Sequence, residues 1–217
     1  MKYIPLFCFL LLLPLFAQAE EQIHIYISAP GRNKVAIALP KPVSGQPSAE
    51  ELYQVIKNDL ELSGWVSIVD PNTYLEKNGT SARFGEFKFE NWDSVEALAL
   101  AKTTLDFKES QYRAEIWIYD IAGRKKLGAK AFKSDSKNVR NLGHKIANEI
   151  ILKITGQEAP FNTQFTYVND ISGKKEVYIM DFDGANQQRI TRNKTINLQP
   201  AWSPNGSKLA FTSYISG

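Results

Sequence analysis

A short motif occurs twice, 44 residues apart: Ile171-Ser172-Gly173 returns as Ile215-Ser216-Gly217. At the same offset Phe165 aligns with Leu209 and Tyr167 with Phe211, so apolar positions recur along with the turn. Across this stretch no helical periodicity is visible. The runs Gln164 to Val168, Glu176 to Asp181, Gln188 to Thr191 and Lys208 to Tyr214 read instead as short strands. Asp183-Gly184 and Ser203-Pro204-Asn205-Gly206 supply the turns, where proline presets one dihedral and glycine accepts a positive one. A unit of roughly 40 to 45 residues holding four strands is the size of one propeller blade. Such a blade buries its faces only against neighbouring blades. Residues after about Phe161 are therefore expected to be marginal or aggregation-prone alone, and the natural protein to be longer.

The part upstream has a different grammar. Lys34 to Leu39 is a candidate strand, and Gln22 to Ile27 alternates in the same way, with Ala29-Pro30-Gly31-Arg32-Asn33 as the turn between them. Ser48 followed by Glu51 predicts a capping box. The apolar positions Leu52, Val55, Ile56, Leu60 and Leu62 then predict an amphipathic helix that stops at Ser63-Gly64. Trp65 to Val69, Ala97 to Phe107, Tyr112 to Ile121 and Lys126 to Phe132 read as further strands. A second helix is expected from about Lys137, on the spacing of Val139, Leu142, Ile146, Ile150 and Ile154, with Gly156 closing it. The expected fold class is α+β, a mixed sheet with two packed helices, followed by the first blade of an all-β propeller that is cut off as the second begins. The expected divisions are 1–19, 20–156, a linker at 157–163, and 164–217.

The first nineteen residues read as a signal peptide. Lys2 precedes an apolar run from Ile4 to Phe16, and Ala17-Gln18-Ala19 gives the small-x-small pattern for cleavage after Ala19. That run is short of the roughly 20 apolar residues a spanning helix needs. The single cysteine, Cys8, lies inside it, so the mature chain is expected to hold neither disulfide nor thiol chemistry. The formal charge of +3 gives no reason to propose nucleic acid. Arg124, Lys125, Lys126, Lys130, Lys133, Lys137, Arg140 and Lys145 do cluster, reading either as a solvated strand and helix face or as a surface for an anionic partner.

Three segments in the second half, Tyr178-Ile179-Met180-Asp181-Phe182-Asp183-Gly184, Arg189-Ile190-Thr191 and Pro200 to Phe211, resemble the propeller repeat of the TolB family, with Asn205 where the usual form has aspartate. A signal peptide, an α+β domain carrying Gly143-His144-Lys145-Ile146-Ala147-Asn148-Glu149 and a helix ending Lys153-Ile154-Thr155-Gly156 extend that resemblance over essentially the whole chain. The resemblance implies a periplasmic, non-enzymatic component of the Tol-Pal system, monomeric before complex formation, that supports outer-membrane integrity and invagination during cell division. It also implies partners: TolA at the first mature residues, Glu20, Glu21, Gln22, Ile23, His24 and Ile25, and the lipoprotein Pal at the propeller. A free terminal strand can add to a partner's sheet edge. Ile23 and Ile25 can equally build an edge strand of their own domain. Glu20-Glu21 and His24 depart from the better-known enterobacterial pattern.

Catalytic and cofactor signatures are not found by spacing. Gly79-Thr80-Ser81-Ala82-Arg83 fails the nucleophile-elbow pattern at its last position. Gly123 to Gly128 has P-loop glycine spacing, but Ala129 stands where lysine is required, which predicts a hairpin. Asp181-Phe182-Asp183-Gly184 lacks the further ligands of a calcium loop and predicts a tight turn. His24 and His144 are the only histidines, neither with a partner at metal-ligand spacing, so no metal or other cofactor is expected and His144 reads as a packed or capping helix residue. Two other functions remain open. One is the front of a propeller-bearing serine peptidase whose nucleophile, acid and histidine lie beyond Gly217. The other is a sugar-binding propeller, which needs an exposed Trp202, whereas burial between blades is expected.

Overall fold

The computed structural model describes residues 34–76, 81–135 and 138–215. The expected signal peptide, the expected Gln22 to Ile27 strand and the segment Glu20 to Ile25 expected to meet TolA lie outside the described residues, as do Ser216 and Gly217 of the returning motif.

β1 (Val35–Ala38) is apolar throughout, and it is buried because it sits inside a sheet rather than at its rim. It pairs in parallel with β2 (Val66–Ile68) on one side and β3 (Ala99–Lys108) on the other. Parallel neighbours need a crossover, and α1 (Ala49–Ser63) provides the one between β1 and β2. β3, β4 (Gln111–Asp120) and β5 (Lys125–Asp135) continue as an antiparallel meander, giving the order β2-β1-β3-β4-β5. The Gly123 region is the β4–β5 hairpin turn.

Period-two alternation divides the sheet's two faces. Ala99, Ala101 and Leu105 of β3 face the helices, packing with Ile37, Ile116 and Ile118 beneath α1 and α3 (Val139–Thr155). Leu100 and Tyr119 face the other way, into an aromatic cover made by the 71–98 excursion. That excursion holds a 3-10 turn (Pro71–Thr73) and a one-turn helix, α2 (Glu90–Asp93), which seats the buried Trp92. Two phenols pin it down: Tyr74 accepts from the Leu39 amide and donates to the Val69 carbonyl, both at 2.9 Å, and Tyr119 donates to the Ala82 carbonyl at 2.7 Å. Burial pushes both phenols up to about 12. Lys102, 2 % exposed, extends into this cover, pairing with Glu76 and lying over the Phe87 and Trp92 rings. Burial lowers its pKa despite the Glu76 carboxylate.

α1 ends at Gly64 in the left-handed conformation, as the spacing predicts, and α3 ends likewise at Gly156. Its start differs from expectation: Ser48 has helical dihedrals and makes no capping bond. The Ser48 hydroxyl bonds instead to the Tyr112 phenol at 2.8 Å, so a tertiary partner on β4 has outcompeted the local one. Leu62, at the helix end, is 54 % exposed rather than buried.

The second half begins with β6 (Gln164–Asn169), β7 (Glu176–Asp181) and β8 (Gln188–Arg189), an antiparallel sheet of consecutive strands. β9 (Asn197–Trp202) and β10 (Leu209–Ser213) form a separate hairpin. β10 stands where the 44-residue offset puts the counterpart of β6. β9 is not among the strands expected from the pattern, because it contains Pro200. Gln199 has a positive φ of 53° and the register shifts opposite it, so the proline sits in a bulge where its missing N–H breaks no regular ladder. The result is the start of a propeller with no closed ring.

Candidate functional site

The two halves meet where α3 begins. Its cap, Asn138, accepts from the Asn141 amide, and the first turn then carries Arg140 toward the β7–β8 turn. There the guanidinium donates to the Asp183 carboxylate and lies 4.0 Å from Asp181. Asn141 reaches Asn162 at 2.7 Å beside it. Phe161 is 1 % exposed, seated in the helix-side core, and Phe182 packs edge-on against its ring at 5.3 Å. The junction is thus an apolar pair flanked by an ion pair. A cleft of about 670 Å³ opens beside it, lined among others by Arg140, His144, Asp181 and Trp202.

His144 lines this cleft, and beside it α1 and α3 approach closely. Gly143 makes that possible: a Cβ there would meet Val55 Cγ1 at 2.6 Å and Val55 Cβ at 2.8 Å. The approach brings the fully buried Asp59 of α1 to 2.7 Å from His144 Nδ1. Burial raises the Asp59 pKa, against the hydrogen bond from His144. For Asp183 burial acts in the same upward sense, but the Arg140 and Ala185 hydrogen bonds prevail and hold the carboxyl below its ordinary range. Three buried polar atoms in this group have no hydrogen-bond partner: His144 Nε2, Asp59 Oδ1 and Arg140 Nε. One ring nitrogen of His144 and one oxygen each of Asp181 and Asp183 lie within 4.8 Å of one another.

His144 is therefore packed, as its place in the helix predicts. Spacing offers it no ligand partner, because Asp181 and Asp183 arrive from the other half of the chain. Asp59 carried a visible signal: an acid between Ile56 and Leu60 on the apolar stripe of α1. Asp183 reads from sequence as a turn residue, and it does sit beside Gly184 with φ 82°, but its carboxylate also holds the junction. Trp202 is half-buried at the cleft rather than enclosed, with its indole N–H buried and unpartnered. β9 faces the junction at that point. Within the basic stretch, Arg124 pairs with Glu90 at 2.9 Å and Lys130 with Glu149 at 2.7 Å, while Lys125, Lys126 and Lys133 are exposed along β5, the sheet's edge. Lysines there discourage pairing with another chain.

Residues 23–127 match the TolB amino-terminal domain, and residues 151–217 match the TolB beta propeller domain. The chain is 34 % identical over 197 residues to the Tol-Pal system protein TolB of Syntrophotalea carbinolica, covering 87 % of this chain and 45 % of that protein. This chain belongs to the TolB family. The TolB protein of Geobacter sulfurreducens is 31 % identical over 219 residues, covering 96 % of this chain and 50 % of the relative. A crystal structure of TolB from Acinetobacter baumannii matches with a TM-score of 0.74 at 19 % identity, over 89 % of this chain and 47 % of that one, which speaks for the fold. The chain spans about half the length of the curated relatives it matches. Among its described residues no helix is long and apolar enough to cross a membrane.

Proposed function

We propose that this chain belongs to a periplasmic, non-enzymatic scaffold of the Tol-Pal system that binds TolA through Glu20 to Ile25 and Pal through its propeller. It joins the inner and outer membranes during division. The observation that carries this reading is the order of the two domains, a TolB amino-terminal domain followed directly by the TolB propeller, in relatives named as Tol-Pal system proteins. Export follows from the signal-peptide pattern before Glu20, with cleavage after Ala19. The fold supports the division of labour: a partner gripping a terminal strand and a partner gripping the propeller are joined through an aromatic pair, Phe161 and Phe182, and an ion pair.

The test is co-purification of the mature protein with the periplasmic domain of TolA and with soluble Pal. Both are captured, and deleting residues 20–25 removes TolA while sparing Pal. Capture of neither partner rejects the assignment, and retention of TolA after the deletion rejects the terminal segment as its site.

A further inference from the structure

We propose that His144, Asp181 and Asp183 form a divalent-cation site of the zinc type across the domain junction, with Arg140 as the resident cation that the metal displaces. The donor set is one imidazole nitrogen and two carboxylate oxygens, already within 4.8 Å of one another. Tetrahedral ligands at about 2.1 Å from Zn²⁺ stand roughly 3.4 Å apart, so the group contracts by an ångström or so on binding.

Three observations on this molecule point to a ligand. The first is His144, a side chain only 4 % exposed that lines the cleft and whose Nε2 has no hydrogen-bond partner. A buried polar atom left unpaired is costly, and its natural remedy is a ligand. The second is the contact behind it: Asp59 Oδ2 lies 2.7 Å from Nδ1, and with Nδ1 donating to that carboxylate the imidazole lone pair is left on Nε2. A carboxylate behind a histidine is the arrangement that orients imidazole ligands and raises their basicity at metal centres. The third is charge: Asp181 and Asp183 share the guanidinium of Arg140, and a third carboxylate, Asp59, stands behind them against His144. A divalent ion suits that imbalance, and imidazole with carboxylate favours Zn²⁺ over Mg²⁺ or Ca²⁺.

Arg140 supplies the discriminating feature. Its Nε is buried without a hydrogen-bond partner and only 4.0 Å from Asp181, so the guanidinium satisfies Asp183 without being fully satisfied itself. A metal taking Asp181 and Asp183 releases it into the cleft it already lines. Metal and arginine then compete for the same two carboxylates, and removing the arginine favours the metal.

The experiment titrates the purified protein, freed of metal by chelation, with Co²⁺ as a spectroscopic probe and then with Zn²⁺. One equivalent of Co²⁺ gives the visible absorption of a four-coordinate site with nitrogen and oxygen ligands, and one equivalent of Zn²⁺ abolishes it. Arg140→Ala tightens binding at least tenfold. Asp181→Asn and His144→Ala each weaken it a hundredfold or more, with Asp181→Asn as the variant to rely on if loss of His144 unfolds the protein. Absence of saturable binding below 100 µM overturns the proposal. So does binding that Asp181→Asn leaves unchanged, or that Arg140→Ala fails to strengthen. Capture of TolA and Pal is a separate readout, so either proposal can fail without the other.

Discussion

Gly143 occupies the crossing of α1 and α3, and its missing side chain is what lets Asp59 touch His144. Two effects oppose each other when it is replaced. Alanine gains about 1 kcal/mol of helix propensity over glycine, but its methyl group must push into Val55, whose β-carbon cannot move without its backbone. Overpacking of this kind costs roughly 1–3 kcal/mol. Gly143→Ala is therefore expected to lower the unfolding midpoint, and to lengthen the Asp59–His144 contact, visible as a shift of the His144 ring signals in NMR. Neither residue's role was apparent from spacing. The helices themselves were readable, since their apolar stripes, left-handed glycine ends and bounds follow local rules. The acid on the stripe was readable only as an anomaly, because its partner is 85 positions away.

The strands show the same division between local and distant causes. β1, β3, β4 and β5 announce themselves by alternation or by unbroken apolar runs. β9 does not, because its bulge at Gln199-Pro200 breaks the pattern that marks a strand. The tight link between β3 and β4, Glu109-Ser110, places two non-glycine residues at positive φ, 52° and 60°. Left-handed backbone costs such residues roughly 1–2 kcal/mol each, so Glu109→Asn with Ser110→Gly is expected to raise stability by about 1 kcal/mol in denaturant unfolding. β7 carries the opposite case, a buried acid that is fully used. Glu176 pairs with Arg189 at 2.7 Å and accepts from Thr191, from the Lys194 amide and from Asn197 Nδ2 at 3.1 Å. Burial works against its carboxylate, but these donors hold its pKa below the ordinary value. The side chain thereby ties the β6–β8 sheet to the β9–β10 hairpin. Glu176→Gln is expected to cost about 1–3 kcal/mol. Hydrogen exchange should quicken first at Asn197, whose amide bonds to the Lys175 carbonyl next door.

The acid response of the molecule follows from its buried carboxylates. Asp183 and Glu176 have folded pKa values below their unfolded ones, so their stabilisation is complete above about pH 4 and is lost as pH falls through the folded values. Asp59 runs the other way: its raised pKa gives a contribution that is complete below about pH 4 and is lost as pH rises through the folded value. Asp183→Asn removes one term of the first kind. Its unfolding midpoint should fall less steeply than that of the parent as pH drops below about 4. The division into two sequence grammars, helical and then strictly short-stranded, was clear along the chain, whereas the cleft between the halves was not, since it is made by residues that neither grammar marks.

Phe161 lies in the segment that joins the halves, yet its ring is held in the helix-side core, its amide donates to Asn148 at 3.2 Å, and Phe182 of the propeller presses on it. A tether anchored at its midpoint cannot pay out slack. With so little slack, the helix-side core and the first propeller strands are expected to move as one body rather than independently.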